Sequence, residues 1–363
     1  MRRPGKASAA AALGLLFVLL VGGAAADESC RIAFDMGSSG IRAGASGSSV
    51  TTRADIDYLS SLWAGRGLEE KLAPTIAALR ELPAEAGFPA DCPRVGGGFS
   101  AWRLALANGA GQLATILARI RTDSDVAVLV IPQVQEGAYG YLGARQLLGE
   151  RLKTSHVLDI GGGSLQIAGE RTTFGEALGQ KIWHRNLCQE IRNSETSPCI
   201  LQPMTGDELE ISRALLVEKL SGIAGALPEP VSMTAISRPV SRGVAPAVAR
   251  FFPETANAGG FSHSELSRSI ERVARLTREE SVTQLAAPAD HVAYLLSDML
   301  LVEGLMQATG SDYLQVAELD LTNLPGLLAD DRAFAWGQHY GCYLERLSSL
   351  GLDAYASDPA SCP

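Results

Sequence analysis

The chain has 363 residues and a formal net charge of −9 at pH 7. That acidic balance argues against nucleic acid as a partner, and against very long polyanions unless basic residues gather locally. With 46% hydrophobic residues the chain is long enough for two domains with separate cores. The first segment in chain order, 1–26, reads as an export signal. Arg2, Arg3 and Lys6 precede an apolar run over 9–21, and Ala24-Ala25-Ala26 offers small residues for cleavage before Asp27. The run is short for a membrane span and no lipobox precedes Cys30. The expectation is an exported protein, periplasmic or secreted, without stable membrane insertion.

Past Cys30, strands are expected over 31–36, 41–47 and 50–56. A helix follows over 68–82, with Leu68, Leu72, Ile76, Leu79 and Leu82 on one face and Pro74 placed to break or kink its first half. Residues 94–98 read as a short strand and 101–121 as one helix. The unbroken apolar run 126–131 has the character of a buried parallel strand. Residues 136–150 look helical, although Gly137, Gly140 and Gly143 weaken the pattern. A second set begins at 156–160: strand, turn, strand, and a third strand near 175–183. Helices follow over 206–219, 262–277 and 289–308, the last ended by Gly310. The most hydrophobic segment, 291–308, carries Asp298 and Glu303 and is not expected to span a membrane. A strand over 313–319 and a short apolar stretch over 321–328 precede an aromatic tail with Phe334, Trp336, Tyr340, Tyr343 and Tyr355. These runs predict an N-terminal domain over 27–153, a C-terminal domain over 154–335 and a disulfide-pinned tail over 336–363. Two β-rich starts followed by helices suggest two similar α/β domains with a cleft between them.

Two stretches read as copies of each other: Phe34-Asp35-Met36-Gly37-Ser38-Ser39-Gly40 and Leu158-Asp159-Ile160-Gly161-Gly162-Gly163-Ser164. Each runs apolar-Asp-apolar-Gly into a patch of glycines and serines and then into a further apolar run. Small residues let a phosphate approach a turn whose backbone N–H groups act as donors. The Asp before the turn offers a hard oxygen suited to Mg²⁺ or its waters. Two such loops face to face would clamp a phosphate chain and its metal, whereas a lone copy would be an ordinary hairpin turn.

All six cysteines, Cys30, Cys92, Cys188, Cys199, Cys342 and Cys362, lie beyond the signal, and an even count in an oxidising compartment points to disulfides. None stands in a C-x-x-C pair or near clustered histidines, so a zinc site is not expected. The expected pairing is Cys30–Cys92, Cys188–Cys199 and Cys342–Cys362, the last two because each closes a short loop; other pairings stay open. Two basic groups, Lys181/His184/Arg185 and Arg238/Arg242/Arg250, are candidates for anion contact and read equally well as solvated loop or helix faces.

The paired loops, together with Ile131-Pro132-Gln133-Val134-Gln135-Glu136-Gly137, resemble the actin–hexokinase superfamily of phosphate-handling folds. Gly37-Ser38-Ser39-Gly40-Ile41-Arg42 and Gln135-Glu136-Gly137-Ala138-Tyr139-Gly140-Tyr141 are similar to apyrase signatures. Tyr141-Leu142-Gly143, the helix over 289–308 and the stretch over 313–328 resemble the exopolyphosphatase/guanosine pentaphosphate phosphatase (Ppx/GppA) family in its short two-domain form. The resemblance implies two actin-like (ribonuclease H-like) α/β domains and hydrolysis of a phosphoanhydride bond in the cleft between them. Asp35 and Asp159 would hold Mg²⁺ through water. Gly37, Ser38, Ser39, Gly40, Arg42 and Arg103 would contact the phosphoryl group from one side, and Gly161, Gly162, Gly163, Ser164 and Gln166 from the other. Glu136 would act as general base on the attacking water. Phosphoryl transfer requires these parts: charge neutralisation and an in-line nucleophile rather than covalent help, with a carboxylate near the metal to activate water. The fold would also place Cys30 and Cys92 before two adjacent parallel strands, which supports their pairing. Departures from the family pattern are Gly98-Phe99 where Ala-Thr is usual, and Gln133, Val134 and Gln135 where acids precede the base. The implied function is an exported phosphohydrolase acting on polyphosphate. The alternatives are an apyrase acting on nucleoside tri- and diphosphates, and a non-catalytic module that binds phosphate or polyphosphate. The oligomeric state is not readable from the sequence.

Overall fold

The computed structural model describes residues 30–227, 231–317 and 323–362. The chain forms two sheets. The first contains β1 (Ile32–Met36), β2 (Gly40–Ala45), β3 (Thr51–Asp55), β4 (Arg94–Gly98) and β5 (Ala127–Val130), in the order β3-β2-β1-β4-β5. β1, β2 and β3 run as an antiparallel meander, and β1, β4 and β5 are parallel. The second sheet contains β6 (His156–Ile160), β7 (Leu165–Gly169), β8 (Thr173–Glu176), β9 (Met233–Ala235), β10 (Gly260–Ser262) and β11 (Tyr313–Val316). Its order, β10-β11-β9-β6-β7-β8, repeats the first pattern, with β6 to β9 and β11 in the places of β1 to β5. Every residue of β5 is buried, as its continuous apolar run requires. Each sheet has its own apolar core, so the molecule is an α/β protein of two related domains.

The registers carry the internal repeat to single residues. Asp35 pairs with Arg42 across β1 and β2, and Asp159 pairs with Gln166 across β6 and β7. Each loop is closed by the same backbone bond: Gly37 N–H to Gly40 O at 3.0 Å, and Gly161 N–H to Ser164 O at 2.8 Å.

Several elements differ from expectation, each for a local reason. The helix expected over 101–121 is two helices, Ser100–Asn108 and Ala110–Ser124, separated at Gly109, whose backbone is extended. The helix expected over 68–82 is Leu72–Glu85, preceded by the short turn Glu69–Lys71. Pro74 breaks nothing, because it sits in the first turn, where a backbone N–H has no helical partner to lose. The third strand of the second set is Thr173–Glu176, and a helix, Gln180–Arg192, already begins where that strand was expected to continue. Residues 318–322, expected partly as strand and partly as an apolar stretch, lie outside the described residues, as does the export signal. Among the described residues no single helix is long and apolar enough to cross a membrane.

The tail differs most from expectation. Leu324, Leu327, Ala333, Phe334, Trp336, Tyr340, Tyr343 and Tyr355 all belong to the core of the first domain, so residues from 324 onward return to it, not to the second. The cause is the open edge at β5. Val130 N–H donates to Tyr343 Oη at 2.7 Å, and Tyr340 Oη donates to Val128 O at 2.9 Å. The tail thus satisfies backbone groups that an edge strand leaves unpaired. The three disulfides are Cys30–Cys92, Cys188–Cys199 and Cys342–Cys362, with Cα separations of 5.2, 5.8 and 6.1 Å.

Candidate active site

The two Asp-x-Gly loops meet across a cleft of about 390 Å³. Their approach is close: a Cβ added to Gly162 would lie 2.4 Å from Ser38 Oγ. Gly40 has φ +156°, and a Cβ there would strike the carbonyl oxygen of Ala54 on β3 at 2.3 Å, so no side chain fits that turn. Gly179 is also required. It precedes the helix Gln180–Arg192, and a Cβ on it would lie 2.4 Å from Gly161 O and 2.5 Å from Ser164 N. That contact lets Gln180 N–H and Lys181 N–H donate to Gly161 O and Gly162 O at 2.9 and 2.8 Å, pinning the second loop to a helix start.

Asp35, Gly37, Ser38, Ser39, Gly40, Arg42, Glu136, Asp159, Gly161, Gly162 and Ser164 all line this cleft. Arg103, Gly163 and Gln166 stand behind the wall. Gly163 packs toward Ser100 and Leu59. Arg103 and Gln166 reach Glu136. Arg103 Nη2 lies 2.7 Å from Glu136 Oε2 and donates to Ser164 Oγ at 2.9 Å, while Nη1 donates to Ile131 O at 2.8 Å. Gln166 Nε2 donates to the same Glu136 Oε2 at 2.9 Å, and Ser164 Oγ reaches it at 3.5 Å. Two of the residues expected on phosphate therefore fix a carboxylate. The ion pair is buried, with side chains 7% and 10% exposed. The contacts to Glu136 from Arg103, Gln166 and Ser164 all fall on Oε2.

Phe99 is among the residues that line the cleft. Its side chain is 1% exposed and lies against Gly97. Its N–H donates to Met36 O at 3.0 Å and its carbonyl accepts from Arg103 N–H at 3.0 Å. It thereby starts the helix that delivers Arg103. Gln135, in place of an acid, reaches Asp330 Oδ2 at 3.4 Å.

The two aspartates are half-buried at the cleft, and desolvation is the main cause of a raised pKa in each: about 6 for Asp35 and about 7 for Asp159. The charges of Glu136 and, for Asp159, of Asp35 push in the same direction, while the N–H of Asn323, donating to Asp35 Oδ2 at 3.0 Å, and the charge of Arg42 act against it. Asn323 Oδ1 is buried without a hydrogen-bond partner among the described residues and also lines the cleft. Asp35, Asp159 and Glu136 line one cleft, with one guanidinium already spent on Glu136. Carboxylate oxygens are hard donors, of the kind that suits a divalent cation such as Mg²⁺ and its waters.

Other cleft residues carried weaker sequence signals. Lys181 lines the cleft and lies 3.8 Å from Asp57 Oδ1. Its expected companions separate from it: His184 is buried between Ser297 Oγ and Cys199 O, where burial lowers its pKa to about 4, and Arg185 stacks over Trp63. Arg238 lines the cleft, whereas Arg250 bonds the backbone of Gln284. Arg53, Gln180, Ser237 and Asn323 were not anticipated. Nothing in their spacing marks them, because each arrives from a different element.

No family model and no curated protein matches the chain in sequence. Solved structures do match in fold. A Ppx/GppA family member from Aquifex aeolicus is similar at 17% identity and a TM-score of 0.61, over 82% of this chain and 96% of that one. An exopolyphosphatase from Cytophaga hutchinsonii is similar at 14% identity and a TM-score of 0.57, over 82% and 96%. An exopolyphosphatase-like protein reaches 16% identity and a TM-score of 0.59, over 86% and 98%. The chain has the two-domain actin-like fold of these proteins.

Proposed function

We propose that this chain is an exported phosphoanhydride hydrolase that releases phosphate from polyphosphate or a related phosphorylated compound, with Mg²⁺ as cofactor. One observation carries the reading. A buried carboxylate, Glu136, is held by Arg103 and Gln166 on one oxygen and faces the space between two Asp-x-Gly loops. Binding alone would not need a carboxylate fixed in that way beside an anion site. The solved structures of similar fold include an exopolyphosphatase, and the three disulfides suit an oxidising compartment.

Asp35 and Asp159 are the residues that would hold the cation, and it would supply charge neutralisation for the phosphoryl oxygens. The chain does the rest. Backbone N–H groups and hydroxyls of the two loops, with Ser38 and Ser164 foremost, hold the terminal phosphoryl group. Arg42 and Lys181 add positive charge at the rim. Glu136 Oε1 accepts the proton of the attacking water as its oxygen bonds to phosphorus and the bond to the departing phosphate chain breaks. Arg103 keeps Glu136 oriented without touching substrate.

The test is phosphate release by purified mature protein from polyphosphate, with ATP and ADP as further substrates. Glu136→Gln is expected to abolish release while still binding pyrophosphate. Equal turnover by Glu136→Gln overturns the mechanism. A preference among nucleotide bases would move the assignment to an apyrase.

A further inference from the structure

The returning tail reaches the helix that carries Glu136. Tyr139 stands one turn beyond Glu136 on the helix Gln133–Leu148. Its hydroxyl donates to Asp330 Oδ2 at 2.6 Å. The hydroxyl of Tyr355 donates to the same oxygen at 2.6 Å, and the two hydroxyl oxygens are 2.8 Å apart. Burial first, and the charge of Asp330 with it, push both tyrosines well above the ordinary phenol range, so both remain donors. The other oxygen of Asp330 accepts from the N–H groups of Arg332 and Ala333 and caps the helix Asp331–Gln338. Asp330 is thus fixed on one side by its own helix and grips the Glu136 helix on the other.

The same segment makes two further contacts toward the site. Gly326 lies flat against Tyr139, where a Cβ would come 2.4 Å from Tyr139 Cβ. Asn323 N–H donates to Asp35 at 3.0 Å. Tyr355 lies inside the loop that the Cys342–Cys362 disulfide closes. The returning segment therefore touches an acid expected on the metal through Asn323, and the helix of the expected base through Gly326, Asp330 and Tyr355.

We infer that Asp330, with Tyr139 and Tyr355, is a positioning device for Glu136, and that the C-terminal segment braces the catalytic helix as well as completing a core. The inference rests on the hydrolase reading above. Hydrogen bonds to a charged acceptor are the strong kind, and a misplacement of about 1 Å at a reacting group costs on the order of 10²-fold in rate.

The experiment compares wild type with Tyr139→Phe, Tyr355→Phe, Asp330→Ala and Asp330→Asn, measuring kcat, KM for polyphosphate, melting temperature and amide exchange at 136–140. Each Phe variant is expected to lose about tenfold in kcat with KM little changed. Asp330→Ala should lose about 10²-fold, and Asp330→Asn, which keeps an acceptor oxygen, should recover most of it. Exchange at 136–140 should quicken in Asp330→Ala. A lowered melting temperature with wild-type kcat and exchange overturns the inference and leaves a purely structural tail. If wild type releases no phosphate from any substrate, the hydrolase reading fails instead. The exchange result then decides the brace by itself: quickened exchange upholds it and unchanged exchange refutes it. If Asp330→Ala does not fold, the two Phe variants, each missing one hydroxyl, decide between brace and purely structural tail by the same readouts.

Discussion

Replacing Arg103 with Met keeps length and apolar stem but removes the cation from a buried pair. Glu136 would keep Gln166 Nε2 at 2.9 Å and lose the 2.7 Å guanidinium contact. Breaking one side of a buried ion pair typically costs about 3–5 kcal/mol, because the other charge stays uncompensated. The bonds from Arg103 to Ile131 O and Ser164 Oγ are lost as well. Urea unfolding of Arg103→Met against wild type should therefore show a stability deficit of about 3–5 kcal/mol. With its carboxylate held by Gln166 alone, Glu136 is free to shift, and a misplacement of about 1 Å at a reacting group costs on the order of 10²-fold in kcat. A deficit below about 1 kcal/mol, or an unchanged kcat, would refute the view that Arg103 exists to hold Glu136 in place.

The other expectations concern the acids, the cross-links and one glycine. Asp35 and Asp159 are raised to about 6 and about 7 from an ordinary 3.8, so the folded protein holds protons that the unfolded chain releases. Metal-free stability should accordingly fall as pH rises from about 4 to about 7, and saturating Mg²⁺ should flatten that slope; urea midpoints across the range in EDTA and in Mg²⁺ check both, and a metal-free midpoint that rises with pH contradicts the burial account. Replacing Cys30 and Cys92 by Ala opens a cross-link between residues 62 apart, which should lower unfolding free energy by about 4 kcal/mol in chemical denaturation; a loss below about 1 kcal/mol would mean that the reduced chain is already ordered there. Gly179→Ala drives a methyl into Gly161 O and Ser164 N and should weaken pyrophosphate binding by calorimetry about tenfold, equivalent to about 1.4 kcal/mol.

The strands and both loops were legible because their signals are local. An Asp followed by small residues between two apolar runs prescribes strand, turn, strand wherever it occurs, and the copy at Asp159 doubled the signal. The position of Glu136 on the cleft was legible from its neighbours in sequence. The roles of Arg103 and Gln166 were not, because a long polar side chain on a helix or a returning strand does not announce its target. Only the packing of the two domains aims both at Glu136 Oε2. The break at Gly109 was hidden in a run whose apolar pattern continues through it. The aromatic tail announced that it was pinned, yet the partner of Tyr340 and Tyr343 is the backbone of β5, a target with no side-chain signature. Asn323 contributes its N–H to Asp35, and a backbone donor leaves no mark on composition at all.

The return of the tail makes the first domain a split one. Its parts come from both ends of the chain, and the second domain is an insertion between them. A chain delivered from its N-terminus can complete the inserted half once β11 has emerged. The outer half must wait for its final residues, since β5 keeps a raw edge until Tyr340 and Tyr343 arrive. Shortening the chain from its C-terminus should therefore damage the half that comes first in sequence while sparing the half that follows it.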